Sequence, residues 1–187
     1  QCTLNDGEWS VLPEAAAVSS WPGWQWNRMP YMEQGRAHAA CAADSDYLYV
    51  AGGWDTRLSL NHAERWSAQS QVWERIPDFP ERLSRPCGAM VRGAFVVCGG
   101  WANQQAVDWV ARYQPGALQW EVLQPMLHRR AGAVTAAAAG YMYVFGGWDG
   151  ERCCDTVERY NASTGEWEPC SPLQVRRRGA SAVAFVG

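Results

Sequence analysis

One interval, 47 residues, governs this sequence. The second glycine of a Gly-Gly pair falls at Gly53, Gly100 and Gly147, each time at the end of an apolar run. The runs are Tyr47-Leu-Tyr-Val-Ala-Gly-Gly-Trp54, Ala94-Phe-Val-Val-Cys-Gly-Gly-Trp101 and Tyr141-Met-Tyr-Val-Phe-Gly-Gly-Trp148. Arg65-Trp66, Arg112-Tyr113 and Arg159-Tyr160 keep the same step, as do Trp73, Trp120 and Trp167, a series that reaches back to Trp26. Several residue types locked to one interval cannot arise from composition, and such a period signals a repeat architecture.

Within one unit the pattern reads as four short strands. Arg130 to Ala139 is small and apolar, as expected of a strand buried on both faces. Gly140 turns the chain into Tyr141–Phe145, and the following glycine pair permits positive φ and close backbone approach. Thr156 to Tyr160 alternates as a third strand; Asn161-Ala-Ser-Thr-Gly165 is turn chemistry, and Glu166-Trp-Glu opens a fourth strand that runs out at Pro169. Four antiparallel strands in a unit of this length describe a β-propeller blade, so the fold class is all-β. Trp54-Asp55 and Trp148-Asp149 imitate a WD dipeptide, but they follow Gly-Gly instead of closing a strand. The Trp73, Trp120 and Trp167 series is expected to pack within and between blades.

Three complete units span residues 36–82, 83–129 and 130–176, with partial blade strands at 21–35 and 177–187. Residues 1–20 stay unassigned, although Asp6-Gly-Glu-Trp9 echoes Thr164-Gly-Glu-Trp167, which leaves a fourth-strand hairpin there as one reading. The 187 residues hold just under four intervals, so the expectation is a fragment of a larger propeller, with a four-bladed ring as the alternative.

A net charge of −3 does not favour nucleic acid or an anionic membrane surface, and no apolar run approaches the ~18 residues of a membrane span. Seven cysteines occur without a C-x-x-C pair, which favours a reducing, cytoplasmic setting. Cys41, Cys87 and Cys98 fall in expected strands as small buried groups; Cys153-Cys154 falls on a loop, exposed in the plain reading and redox-active or metal-binding in the other. Neither a Gly-x-Ser-x-Gly turn nor a phosphate-cradling loop occurs, and His38, His62 and His128 sit at different phases of the repeat. The expectation is therefore a non-enzyme with no cofactor and no metal.

Two sets of loops carry the candidate contacts. Arg36, Arg130 and Arg177 keep the period before each first strand; Arg82, Arg85, Arg129, Arg176 and Arg178 stand beside them. A propeller gathers these loops on one face, where forked guanidinium groups suit carboxylate or phosphate. The same arginines read equally as strand-end and ion-pair residues. The second set follows Gly-Gly and opens with Trp54, Trp101 and Trp148; its sequences differ most between units, as partner-selecting loops on a rigid scaffold do.

The motifs Tyr-x-Tyr-Val-x-Gly-Gly-Trp-Asp-Gly, Val-Glu-Arg-Tyr and Thr-Gly-Glu-Trp, with the 47-residue step, resemble those of the BTB–kelch (kelch-like) proteins over residues 21–187. The resemblance implies a kelch-type β-propeller that recognises a protein or an acidic peptide. It also implies a possible place as the substrate-recognition part of a cullin-3 ubiquitin ligase adaptor, and Arg130 and Arg177 match the family's first-strand arginines. The alternatives are an actin or cytoskeletal scaffold, or a fragment of a galactose-oxidase-like enzyme, whose copper ligands this chain does not supply.

Overall fold

The computed structural model describes residues 2–5, 8–11 and 29–184. Three antiparallel sheets, each of four strands, carry the 47-residue units. Strands β1 (Cys2–Asn5) and β2 (Glu8–Val11) pair as a hairpin at the start of the chain, with Trp9 opposite Leu4. The first four-stranded sheet runs in chain order through β3 (Ala40–Ala43), β4 (Tyr47–Ala51), β5 (Ala63–Ser67) and β6 (Trp73–Ile76). The middle sheet holds β7 (Cys87–Val91) and β8 (Ala94–Cys98), then β11 (Val110–Tyr113) and the short β12 (Glu121–Val122). Between them β9 (Trp101–Ala102) and β10 (Gln105–Ala106) form a separate two-stranded hairpin. The third sheet holds β13 (Val134–Ala138), β14 (Tyr141–Phe145), β15 (Val157–Asn161) and β16 (Glu166–Cys170). Pro169 lies within β16, which tolerates it because an edge strand has one side free of ladder bonds.

The first strands β3, β7 and β13 pack beside one another, so the sheets converge at their inner edges and fan outward like blades. All five residues of β8 are buried. Phe95 and Val97 face the first sheet, where they join Tyr49, Leu83 and Trp120. Val96 and Cys98 face the third sheet, where they join Met142, Val144 and Tyr160. That two-sided burial explains the unbroken apolar sequence of β8. By contrast β14 buries Met142 and Val144 and leaves Tyr141, Tyr143 and Phe145 half-exposed. The strand β13 is half-buried throughout, not covered on both faces as its composition predicts, because among the described residues β7 is the one strand that packs closely against it from a neighbouring sheet.

Hydrogen bonds repeat between sheets as faithfully as the sequence does. Each indole of the Trp73, Trp120 and Trp167 series donates to a carbonyl 43 residues earlier, at Pro30, Pro77 and Gln124 (3.0, 2.7 and 3.0 Å). The glycine pairs admit the loop entering the next unit: Gly53, Gly100 and Gly147 donate to the carbonyls of Leu83, Arg130 and Arg177 at 2.8 to 2.9 Å. At Gly99 and Gly146, both with positive φ, a Cβ would overlap the Arg130 and Arg177 carbonyl oxygens, so side chains are excluded there. Arg65, Arg112 and Arg159 pair across strands with Glu74, Glu121 and Glu168 on the outer half of each sheet.

One sequence expectation changes at the C-terminal end, and one at the N-terminal end falls largely outside the described residues. Residues 177–184 form no strand: Arg177 and Gly179 make single backbone bonds to Gly147, Cys154 and Gly132, but no strand ladder forms with the described residues. Trp26 and the first part of the 21–35 strand, like residues 185–187, lie outside the described residues.

Candidate site at the convergent loops

The periodic arginines do not line a surface. The Arg36 guanidinium is 1% exposed and donates to the carbonyls of Gly52 (3.0 Å) and His62 (2.6 Å) and to the Glu64 carboxylate. Arg130, 0% exposed, repeats this with Gly146, Thr156 and Glu158, the last at 2.6 Å. Each guanidinium thus ties the loop before its first strand to the second and third strands of its own sheet. Their assignment as partner contacts is corrected, because both guanidinium groups are enclosed; even Arg130 Nε, which has no partner, is buried. Arg177 holds the same register but is exposed, and its Nε donates to the Val175 carbonyl at 3.3 Å.

Two residues beyond each periodic position the chain takes a left-handed turn. His38, Arg85, Gly132 and Gly179 have φ of 55°, 55°, 62° and 63°. Arg85 N–H donates to the His38 carbonyl, Gly132 N–H to Arg85, and Gly179 N–H to Gly132, all at 2.9 Å. One residue per unit therefore hands a hydrogen bond to the next across the inner edges of the sheets. Glycine occupies this conformation without penalty; His38 and Arg85 occupy it at a cost of about 1–2 kcal/mol each.

These turns surround a cleft of about 450 Å3 lined by His38, Arg85, Pro86, Gly132, Trp148 and Arg178 together with small residues. The lining contains no carboxylate. Among the described residues neither the His38 nor the Arg85 side chain has a hydrogen-bonding or ion-pairing partner. The Arg178 guanidinium lies 5.8 Å from the centre of the Trp148 ring, and Trp148 stacks on Trp101 at 5.0 Å. The cleft thus combines unneutralised cations, an aromatic platform and little else, a composition able to hold an anionic group beside a flat or apolar one.

The remaining candidates scatter around this mouth. Trp54 is 42% exposed and outside the stack. Arg82 is exposed, with one long bond to the Ser59 carbonyl (3.4 Å), and Arg129 is spent partly on Asp108 at 3.8 Å. A second cleft, of about 490 Å3, lies beside Cys153 and Cys154, but its cations are compensated: Arg152 faces Asp149 and Arg176 faces Asp155. Cys153 is half-buried and Cys154 buried, which corrects the expectation of two exposed loop thiols; burial pushes the Cys154 thiol up. Among the described residues no three His, Cys, Asp or Glu side chains gather to hold a metal ion.

His38 is the mouth residue that inspection of the sequence missed. Its signal was its register with Arg85, Gly132 and Gly179, where two glycines mark a left-handed position.

Comparison with known proteins agrees with this geometry. The F-box/kelch-repeat protein SKIP30 of Arabidopsis thaliana is 34% identical over 68 residues, which is 36% of this chain and 19% of that protein. The chain therefore spans about a fifth of that relative. The solved structure of YjhT superposes with a TM-score of 0.70 at 17% identity, covering 78% of this chain and 54% of that one. The Kelch motif matches at residues 35–80, 82–127 and 129–174, within the bounds of the three sheets and their entering loops. The chain belongs to the kelch-repeat family and builds part of a kelch-type β-propeller.

Proposed function

We propose that this propeller binds a protein partner through the face where the entering loops converge, with an acidic segment of that partner seated in the cleft of His38, Arg85 and Arg178. The observation that carries the reading is the uncompensated charge of the cleft. On the entering loops Arg129 and Arg176 have carboxylates facing them and the exposed Arg82 and Arg177 bond single carbonyls, whereas two arginines share the cleft and its lining has no carboxylate. Exposed guanidinium groups with no carboxylate beside them keep their forked donors free, so such a cleft gains most from a ligand that supplies an anion. Trp148, held by its stack on Trp101, offers the neighbouring residue of the partner a rigid surface.

The wider role we propose is substrate recognition for a ubiquitin ligase. Membership of the kelch-repeat family supports it, as does the relative whose name joins an F-box to kelch repeats. The cullin-3 type of ligase remains part of this proposal.

Affinity capture with the parent protein and with an Arg85→Ala/Arg178→Ala variant tests the reading. Both side chains are exposed, so the variant should melt like the parent. Each lost charged hydrogen bond contributes about 1.5–3 kcal/mol, or roughly ten- to hundredfold in affinity. Partners that bind parent and variant equally would place recognition elsewhere. Ligase components among the captured proteins would support the adaptor role, and their absence from a specific set of partners would count against it.

A further inference from the structure

Cys87 and Cys98 stand directly opposite each other on β7 and β8. Their sulfurs lie 3.6 Å apart, and the Cys87 thiol also reaches the Cys98 carbonyl at 3.5 Å. The same positions hold Ala40 and Ala51 in the first sheet, and Val134 and Phe145 in the third. Apolar packing is thus met without sulfur in both neighbours, and the middle sheet alone carries two facing thiols there. The pair is 7% and 0% exposed and lies within the apolar cluster shared with the third sheet.

We propose that Cys87 and Cys98 form a cross-strand disulfide, a redox-controlled clamp on the inner hairpin of the middle sheet. The two sulfurs already touch, so bond formation needs a small approach of neighbouring strands and no change of register. The oxidant is a low-molecular-weight disulfide. The Cys87 thiolate attacks one of its sulfurs, releasing one thiolate and leaving a mixed disulfide on Cys87. The Cys98 thiolate then attacks the Cys87 sulfur and releases the second. The two protons lost by the cysteines end on the two released small thiols, so the protein loses two electrons and the small disulfide gains them.

Access follows from topology. The strand β7 is the edge of its sheet, so it opens without breaking the bonds between β8, β11 and β12. Cys87, on that edge and the more exposed of the two, is the one that meets the oxidant first. The hydrogen bond that the Cys98 thiol donates to Cys87, together with burial, keeps it protonated until then. Once formed, the bond is shielded from reductant by the same burial. Arg85 lies two residues before Cys87, so the clamp also fixes the strand that follows the mouth loop. The thiol geometry carries this inference whatever the mouth binds.

Refolding the protein through a buffer of oxidised and reduced glutathione, followed by alkylation and tryptic digestion, tests it. Cleavage after Arg82, Arg92 and Arg112 puts Cys87 in Leu83–Arg92 and Cys98 in Gly93–Arg112. The expected result is these two peptides joined, with two hydrogens lost, and a melting temperature about 5 °C above that of the reduced protein. A Cys87→Ala variant, small enough for the site, should melt alike in both redox states. Recovery of both peptides alkylated, linkage of Cys87 to any other cysteine, or equal melting of oxidised and reduced parent would each overturn the proposal.

Discussion

The middle sheet and its neighbours solve one buried position in opposite ways. In the first sheet Arg36 and Glu64 pair out of solvent, and Glu64 also accepts the backbone N–H of Glu33 at 2.8 Å. The third sheet repeats this with Arg130, Glu158 and the N–H of Leu127 at 2.7 Å. At the corresponding positions the middle sheet has Leu83, Ala111 and Pro80. Leu83 and Ala111 are both 0% exposed, and Pro80 has no N–H to satisfy. Cation, anion and the additional donor have thus been replaced together. The lesson is that these groups form one unit: a carboxylate without its arginine is a buried charge, and an N–H without its carboxylate is an orphan donor. An apolar set serves the same place, so the fold does not require the ions.

Breaking the unit should have the largest effect. Glu158→Ala leaves the Arg130 guanidinium enclosed without its carboxylate and strips the acceptor from Leu127, which should cost about 3–5 kcal/mol in a denaturant melt. Writing the middle sheet's solution into the third, by Arg130→Leu, Glu158→Ala and Leu127→Pro, should recover most of that loss. If the triple variant is no more stable than the single, the three positions do not act as a unit.

The tryptophan series sharpens the same contrast between the middle sheet and its flanks. Trp120 is 5% exposed and packs its ring on Phe79, Phe95 and Tyr113, with centroids 4.7 to 5.8 Å apart. Trp120→Ala should therefore cost about 3–5 kcal/mol. Trp73, half-buried, has the same indole bond without such an aromatic cage among the described residues, and Trp73→Ala should cost distinctly less. Equal losses at the two sites would mean that the indole hydrogen bond matters more than the packing.

The contrast also marks how far the sequence could be read. Its period located each four-stranded sheet, because Gly-Gly, the cross-strand arginines and the indoles serve contacts that recur in each unit. Tyr141–Phe145 appears with the expected bounds. Chemistry that depends on which neighbour is present was not legible: Arg36 and Arg177 share a register, yet one is enclosed by Glu64 and the other exposed. Guanidinium groups spaced by the period looked like a ring of contacts because a one-dimensional pattern does not say which face of the loop a side chain takes. The carboxylates at Glu64 and Glu158, in phase with those arginines, were the available clue.

The mouth itself divides into side-chain-bearing and bare halves. His38 and Arg85 hold left-handed turns that Gly132 and Gly179 hold freely. Arg85→Gly should stabilise the protein by about 1 kcal/mol while weakening capture of the partner. Gly132→Ala should destabilise it by a similar amount, about 1 kcal/mol. An Arg85→Gly variant that is less stable than the parent would show that its side chain supports the fold.

The smallest effect separates the loops that follow Gly-Gly. In the flanking units an aspartate organises the loop: Asp149 Oδ1 accepts the N–H groups of Arg152 and Glu151, and Asp55 Oδ1 those of Leu58 and Arg57, all at 2.8 to 2.9 Å. Those bonds hold both carboxyls below the usual carboxylate range. A depressed folded value means the loop's contribution is complete above the ordinary aspartate pKa of about 3.9 and fades as pH falls through the folded value. The middle unit instead uses a two-residue turn, with Asn103 and Gln104 both at positive φ between β9 and β10. None of its residues from Trp101 to Ala106 titrates. Between about pH 5 and pH 2 the amide resonances of Arg152 and Leu58 should therefore shift and their exchange quicken, while that of Gln105 holds still. Asp149→Asn should remove the pH response of Arg152 and leave that of Leu58 intact. Parallel shifts at all three amides would instead mean that acid loosens the whole scaffold, and that the turns differ in sequence without differing in what holds them.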